Sequence, residues 1–204
     1  MHRTSLLAAG AVLALTLGMA PIVMADAASA QTVGSEQQSD VDQQQRIAQG
    51  LKSGQLSTGE AAHLEQGEAH IDRMEANADK NGTLSPAEKA RIQNAQNRES
   101  AAIYRDKHNG VTGSPGSASS ERMQADVGRD IRQDQRTEQG IKSGQLTNRE
   151  VGRIDRGEAH LDHSEATAGA DGHVSAAEQA RTERIANRQS GRIYRLKHNG
   201  RTRG

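Results

Sequence analysis

The chain has 204 residues, equal numbers of acidic and basic side chains, and no cysteine. Zero net charge removes the broad positive field that nucleic-acid binding usually requires, so nucleic acid is not an expected partner. The absence of cysteine excludes a disulfide scaffold and a thiol enzyme. With no Trp, no Phe and two Tyr, the chain has few large side chains to bury, and we expect thin cores.

The N-terminal segment 1–30 predicts a secretory signal peptide. A basic start precedes a long apolar run, and Ala28-Ser29-Ala30 fits the small-residue rule for cleavage before Gln31. The run could also stay in the membrane as an anchor, because about 20 apolar residues span a bilayer, but the proline near its end favours cleavage. We therefore expect a periplasmic or secreted protein whose mature chain has no integral membrane span.

The remaining sequence contains two copies of one unit. When the sequence is shifted by ninety positions, 43–110 matches 133–200 without a gap at about half of the positions, which indicates an internal duplication. The stretch between the copies is rich in Gly, Ser and Pro and is typical of a flexible linker. We predict a first module at 31–110, a linker at 111–120 and a second module at 121–204.

Each module is predicted to consist of three helices. In the first copy, 57–60 and 85–88 read as capping boxes, in which Ser and Glu satisfy free backbone groups at a helix start. Gly54, Gly82 and Gly110 stand where the preceding helices should end in a left-handed cap. The predicted fold is therefore all-α, with two tandem three-helix modules.

The first copy also contains a candidate calcium loop, NADKNGTLSPAE. Its candidate ligands are, in order, Asn77, Asp79, Asn81, the Thr83 carbonyl, Ser85 and Glu88. With Gly82 at the sharp turn, this segment resembles an EF-hand loop, and the resemblance implies a Ca²⁺ ion held by oxygen ligands. The first position departs from the family pattern because it is Asn instead of Asp. One negative charge is lost, so we expect weak calcium binding.

The alternative interpretation of this segment is a plain turn. The same pattern of residues recurs at 53–60. When this turn is aligned on its glycine, Gly54, the third ligand position falls on Leu51, which cannot bind a metal. In the second copy the matching loop, 167–178, has Gly169 in place of Asp79, so we expect no tight calcium site there. The turns of the chain could thus reuse one formula, a terminating glycine followed by a capping box.

Two further residue pairs have side chains that could form sites, a pair of histidines and a pair of tyrosines. His160 and His163 lie one turn apart, which allows either a surface role or a weak transition-metal site, because zinc normally takes four ligands. Tyr104 and Tyr194 are the only aromatic residues, and we interpret them as core anchors whose hydroxyls reach water.

The sequence lacks the motifs of common enzyme classes, so we predict a non-enzyme. Carboxylates such as Glu68 and Asp72 are interpreted as a solvated helix face. Both copies resemble small exported bacterial helical-repeat proteins of unassigned function. The prediction is an exported helical protein with a weak EF-hand-like calcium loop. The alternative is a structural or interaction module of the cell envelope that binds an envelope or secreted protein and no metal.

Overall fold

The structure, a computed structural model, describes residues 24–202, with side chains from residue 33 onward. Its six helices are α1 Met24–Ser53, α2 Thr58–Ala78, α3 Pro86–Asp106, α4 Ala118–Lys142, α5 Asn148–Ala168 and α6 Ala176–Lys197. A single 3-10 turn, Asp79–Asn81, follows α2. The all-α prediction is confirmed. Most of the predicted signal peptide, and the side chains around the predicted cleavage point, lie outside the described residues.

The capping boxes begin the helices as predicted. The Ser57 hydroxyl accepts a hydrogen bond from the Glu60 amide at 3.2 Å, and the Glu60 carboxylate accepts one from the Ser57 amide at 2.9 Å. Ser85 and Glu88 repeat this arrangement at the start of α3. Gly82, with a φ of 85°, ends the 3-10 turn in the left-handed conformation that favours glycine.

The two predicted modules pack against each other along their length. Helix α2 packs mainly on α5, and α1 packs mainly on α4. Both pairs are antiparallel: Gly34 near the start of α1 faces Ile141 near the end of α4, and Gly152 near the start of α5 faces Asp79, just after α2. These four helices form an inner bundle. Helix α3 covers α1 and α2 from outside, and α6 covers α4 and α5.

The segment predicted as a linker, 111–120, differs from that expectation. The Gly113 amide donates a hydrogen bond to the Gly54 carbonyl at 2.8 Å, and a side chain at position 113 would collide with the Leu56 carbonyl. The last residues of the segment already belong to α4, whose N-cap is Ser117. The serines of this stretch therefore serve as a helix cap and as packing residues, because a small polar side chain suits both roles.

Apolar side chains gather mainly at the two ends of the inner bundle. One cluster includes Ile47 and Leu51 of α1 with Leu64 of α2 and Met123 of α4. The opposite cluster is smaller and is centred on Ile154 with five further buried residues. Large buried apolar side chains outside these clusters, such as Ile71 and Leu161, are few, which fits the prediction of thin cores. Among the described helices, none is both long and apolar enough to cross a membrane.

The prediction that the tyrosines anchor the core is wrong. Tyr104 and Tyr194 are 61% and 64% exposed. Each ring stacks on the histidine one turn later, His108 or His198, at a centroid distance of 4.2 Å. The reason is helix geometry, because Ile103 occupies the inner face of α3 and the next residue is rotated by about 100° away from it.

Candidate metal centres in the inner bundle

A stripe of carboxylates runs along α2 and recurs on α5. On α2 the residues are Glu65, Glu68, Asp72 and Glu75, and on α5 they are Asp155, Glu158, Asp162 and Glu165. Steps of three, four and three place each set on one helix face. All eight side chains are at most 8% exposed, because these faces lie inside the bundle.

The interpretation of Glu68 and Asp72 as a solvated face is therefore wrong. Glu68 is 3% exposed and Asp72 is 8% exposed. Acidic residues at helical spacing are ordinarily on the surface, since an isolated ionised carboxylate is costly to bury. Here the equivalent acidic face of the second copy packs opposite the first. Two faces that would each be solvated alone thus become the interior of the molecule.

Helices α1 and α4 add further buried carboxylates to the same interior. These are Glu36 and Asp40 on α1, and Asp126, Asp130 and Asp134 on α4, with Asp79 at the end of α2. Together with the eight on α2 and α5, the described part of the bundle interior holds fourteen buried carboxylates, and a fifteenth, Glu150, is buried in the capping box at the start of α5. Among the described residues, none of the buried side chains is a Lys, Arg or His. The described residues show one ion pair, between Lys142 and Glu138, and it lies on the surface.

Centre I, as we name it, consists of Asp40, Asp72 and Glu75. Each residue offers a carboxylate oxygen, and the three oxygen atoms lie within 4.8 Å of one another. The Gln96 side-chain amide donates to Asp40 Oδ1 and to Glu75 Oε1, both at 3.1 Å. Asp155, which comes from the second copy, acts electrostatically on both Asp40 and Glu75. Centre I is therefore bordered by both copies.

Centre II consists of Glu65, Asp130 and Glu165, whose oxygen atoms also lie within 4.8 Å of one another. Glu65 comes from the first copy and the other two residues come from the second. The Gln44 side-chain amide donates to Glu65 Oε2 at 2.9 Å. No N–H group and no Ser, Thr or Tyr hydroxyl donates to the other oxygen of Glu65, or to any oxygen of Asp130 and Glu165. The Asp130 and Glu165 carboxyl groups share a hydrogen bond with each other when Asp130 is protonated.

Burial raises the pKa of these carboxyls strongly. It raises the pKa of Glu65 to about 8 and that of Asp40 to about 7, in each case because the charged form loses its water. Burial and then repulsion from neighbouring carboxylates raise the pKa of Glu75, Asp130 and Glu165 well above their usual values. Without a bound cation, many of these groups are protonated near neutral pH.

The candidate ligands of the predicted calcium loop lie in two different environments, one buried and one exposed. Asp79 is 1% exposed and packs on α5 beside Gly152, while Asn81, Thr83 and Ser85 are exposed. Asn81 Oδ1 accepts hydrogen bonds from the amide and the hydroxyl of Thr83 at 2.9 and 3.1 Å.

Two other loop candidates lie on the surface. Glu88 Oε2 accepts from the amide and hydroxyl of Ser85, which lowers the pKa of Glu88. Asn77 and Glu88 line one surface pocket with Arg91. The structure thus pairs Asn81 with Thr83 and Ser85 with Glu88, and calcium binding by the loop stays a prediction.

The histidine pair lies outside the acidic interior. His160 and His163 are exposed and line a surface pocket of about 300 Å³ between α5 and α6, together with Glu178. His163 Nδ1 is 3.3 Å from the Gln66 side-chain oxygen. Within the described part of the chain, groups of three possible ligands consist of carboxylates alone.

The recurrence of acidic residues in the second copy is a sequence signal for the buried carboxylates. The acidic character of positions 65, 68, 72 and 75 recurs ninety residues later at all four positions, although only about half of the aligned residues match. A retained acidic face in two diverged copies favours a shared buried role over a solvated one. The chain matches no protein-family model, and no curated protein or solved structure is significantly similar to it.

Proposed function

We propose that this protein binds hard, multivalent metal cations inside its helical bundle, at centres I and II. The observation that carries the proposal is that the bundle interior contains fourteen buried carboxylates, whereas no Lys, Arg or His among the described residues is buried. Ionised carboxylates in a protein interior each cost several kcal/mol unless a positive charge compensates them. Lys or Arg side chains that are not buried act on Glu36, Asp126 and Glu158. The other carboxylates must therefore be protonated or hold cations.

The donor atoms define the class of cation. Centres I and II offer carboxylate oxygen atoms, with amide groups of glutamines beside them and no nitrogen or sulfur ligand. Oxygen ligands of this kind suit Ca²⁺, Mg²⁺ and Mn²⁺ and other hard ions. Dinuclear iron sites in four-helix bundles pair their glutamates with histidines, and the described interior offers no histidine. We therefore assign a binding role and no reaction.

The proposed sites lie inside the bundle, whereas the sequence predicted calcium binding at the loop 77–88. Centre I and centre II group three buried carboxylates each. The loop residues Asn81 and Glu88 are instead used in local hydrogen bonds at the surface. We place the principal sites in the bundle and keep the loop as a separate, weaker candidate. If the predicted signal peptide directs export, these sites would meet the higher calcium concentrations outside the cytoplasm.

The test is calcium titration of the purified mature chain by calorimetry after treatment with chelator. We expect saturable binding that weakens in Asp40→Asn, because the variant removes one ligand charge from centre I. The matched control is Asp42→Asn, two residues along the same helix, because Asp42 is exposed. Binding absent at millimolar calcium and for other hard cations would contradict the proposal, as would equal losses in the two variants.

A further inference from the structure

The two centres differ in how well their oxygen atoms are satisfied. In centre II, both oxygens of Asp130, both of Glu165 and one of Glu65 receive no hydrogen bond from any group other than a neighbouring carboxyl of the same centre. These three residues are at most 2% exposed, so their carboxyl groups are shielded from bulk solvent. In centre I, one oxygen of Asp40 and one of Glu75 accept from the Gln96 amide.

The difference follows from one substitution between the copies. Gln96 on α3 aligns with Ala186 on α6, and alanine has no donor to offer. Ala186 is buried at 2% exposure, so the position faces inward in both copies. Asp130 and Glu165 are thus equivalent to Asp40 and Glu75, but the amide that donates to Asp40 and Glu75 has no counterpart beside Asp130 and Glu165.

Charge balance then separates divalent from trivalent ions at centre II. When all three carboxyls are ionised, a divalent ion leaves one buried negative charge and a trivalent ion leaves none. A divalent ion therefore reaches neutrality only where one carboxyl keeps its proton and gives up its role as a charged ligand. A residual charge in a dry interior is costly when no donor group faces it. Asp162 adds to the negative potential at Asp130, and Asp126 adds to the negative potential at Glu165. For the same three carboxylates, the Coulomb attraction grows in proportion to the charge of the ion, which offsets the larger dehydration cost of a trivalent ion.

We infer that centre II selects trivalent hard cations over divalent ions of similar radius, and that centre I is the less selective site. This inference rests on the proposed function. Two observations that are independent of each other support it: the oxygen atoms of Glu65, Asp130 and Glu165 converge, and five oxygen atoms of these residues are buried with no donor from outside the centre. Such oxygen atoms are arranged for a ligand that brings positive charge.

Terbium(III) luminescence tests the inference on the full mature chain, with calcium as the competitor of similar radius. We expect the first equivalent of terbium to bind with an apparent Kd at least about 100-fold below that of calcium. Emission lifetimes in H₂O and D₂O should show fewer inner-sphere waters than at an exposed site, since centre II is buried. Calcium affinity within about threefold of terbium affinity would overturn the inference and leave the proposed function intact.

The duplication offers a matched pair of variants. Glu165→Gln in centre II should weaken the first terbium equivalent by at least about tenfold, and Glu75→Gln in centre I should change it by less than about threefold. Both variants replace a buried acid with a neutral side chain of the same shape, so circular dichroism should show both folded. The reverse order or equal losses would overturn the inference. Failure of both terbium and calcium to bind would overturn the proposed function as well.

Terbium bound at the surface loop is recognised separately. Glu88→Gln keeps the capping box, because Gln can replace Glu there, but removes a charge from the loop. If this variant removes the first terbium equivalent and Glu165→Gln does not, the tight site is the loop, and the inference fails. We expect Glu88→Gln to leave the first equivalent unchanged.

Discussion

Asp79 lies against Gly152 so closely that a Cβ added to the glycine would be 2.8 Å from the Asp79 Cβ. The equivalent positions of the other copy make the same contact, but there the glycine follows α5 and the larger residue lies on α2. Gly169, which aligns with Asp79, faces Ala62, which aligns with Gly152, and a Cβ at position 169 would be 2.7 Å from the Ala62 Cβ. Glycine on one side of each contact allows α2 and α5 to approach.

The first prediction follows from that exchange. Gly169→Ala should destabilise the fold by about 1–3 kcal/mol, because the added methyl overpacks a close helix contact. Ala62→Gly in the same chain should restore part of the loss in a double-mutant cycle, since it removes the methyl that collides. The measurement is urea unfolding of the single and double variants. Additive effects of the two changes would show that these residues do not compete for the same space.

The second prediction concerns pH. The raised folded-state pKa values, about 8 for Glu65 and Glu36 and about 7 for Asp40, mean that folding favours the protonated forms. Their contribution to stability is full below the unfolded pKa, near 4, and is lost as pH rises through 7 to 8. Each proton held only by the folded state changes stability by about 1.4 kcal/mol per pH unit in that window.

The measurement is thermal melting in chelator at several pH values. We expect the melting temperature of the metal-free protein to fall between pH 5 and pH 8, and we expect a bound cation to reverse much of the fall at the upper end. A metal-free protein that becomes more stable over this range would contradict the assignment of protonated carboxyls in the interior.

The third prediction concerns Gln96, which donates to Asp40 and Glu75 and whose carbonyl accepts from Gln43 at 2.8 Å. Gln96→Ala removes the donor and keeps the backbone contact. It should destabilise the metal-free protein by about 1–3 kcal/mol, because buried acceptors lose their partner. The loss should shrink on addition of calcium, which replaces the donor. Urea unfolding with calcium and with chelator measures both effects, and an equal loss in the two conditions would contradict this role.

The fourth prediction separates the loop from the bundle. Glu88→Gln should leave the metal-free melting temperature nearly unchanged, because the capping box with Ser85 can persist. If the loop binds calcium, this variant removes the weakest calorimetric phase and no other. Asp79→Ala is not a clean probe of the loop, since Asp79 is buried and acts electrostatically on Glu75 and Asp155. Loss of all calcium binding in Glu88→Gln would place the site in the loop.

The fifth prediction tests whether one centre needs both copies. Glu65→Gln, in the first copy, should weaken cation binding at centre II about as much as Glu165→Gln, in the second. The double variant should lose less than the sum of the two, because the residues share one ion. Terbium titration of the three variants gives the comparison. Strict additivity would mean that the two carboxylates do not meet at one ion.

Local structure was predictable because local chemistry sets it. Ser57 and Ser85 begin helices through hydrogen bonds within four residues, and Gly82 ends a turn through its own conformation. The exposure of Tyr104 was not predicted because residue type favoured burial, whereas the helix face was set by Ile103. A face is decided by what packs on it.

The acidic interior depends on contacts between distant parts of the chain. Glu68 and Asp72 look like surface residues in any window of their own helix, and they become buried only because α5 lies opposite. From the sequence alone, Gly169 indicates only that the second loop lacks a side-chain ligand for calcium. The contact with Ala62 gives a steric reason for glycine at that position.

The sharing of centre II between the copies has an evolutionary consequence. A chain with one copy would supply Glu65 and the counterpart of Glu165 on the same helix, so it could bring them to one ion only by pairing with a second molecule. Such a homodimer would dissociate on dilution. Joining the two halves through residues 111–117 replaces that encounter with an intramolecular one, whose effective concentration does not fall as the protein is diluted. The fused chain was then also free to vary one half alone, as at Gln96 and Ala186.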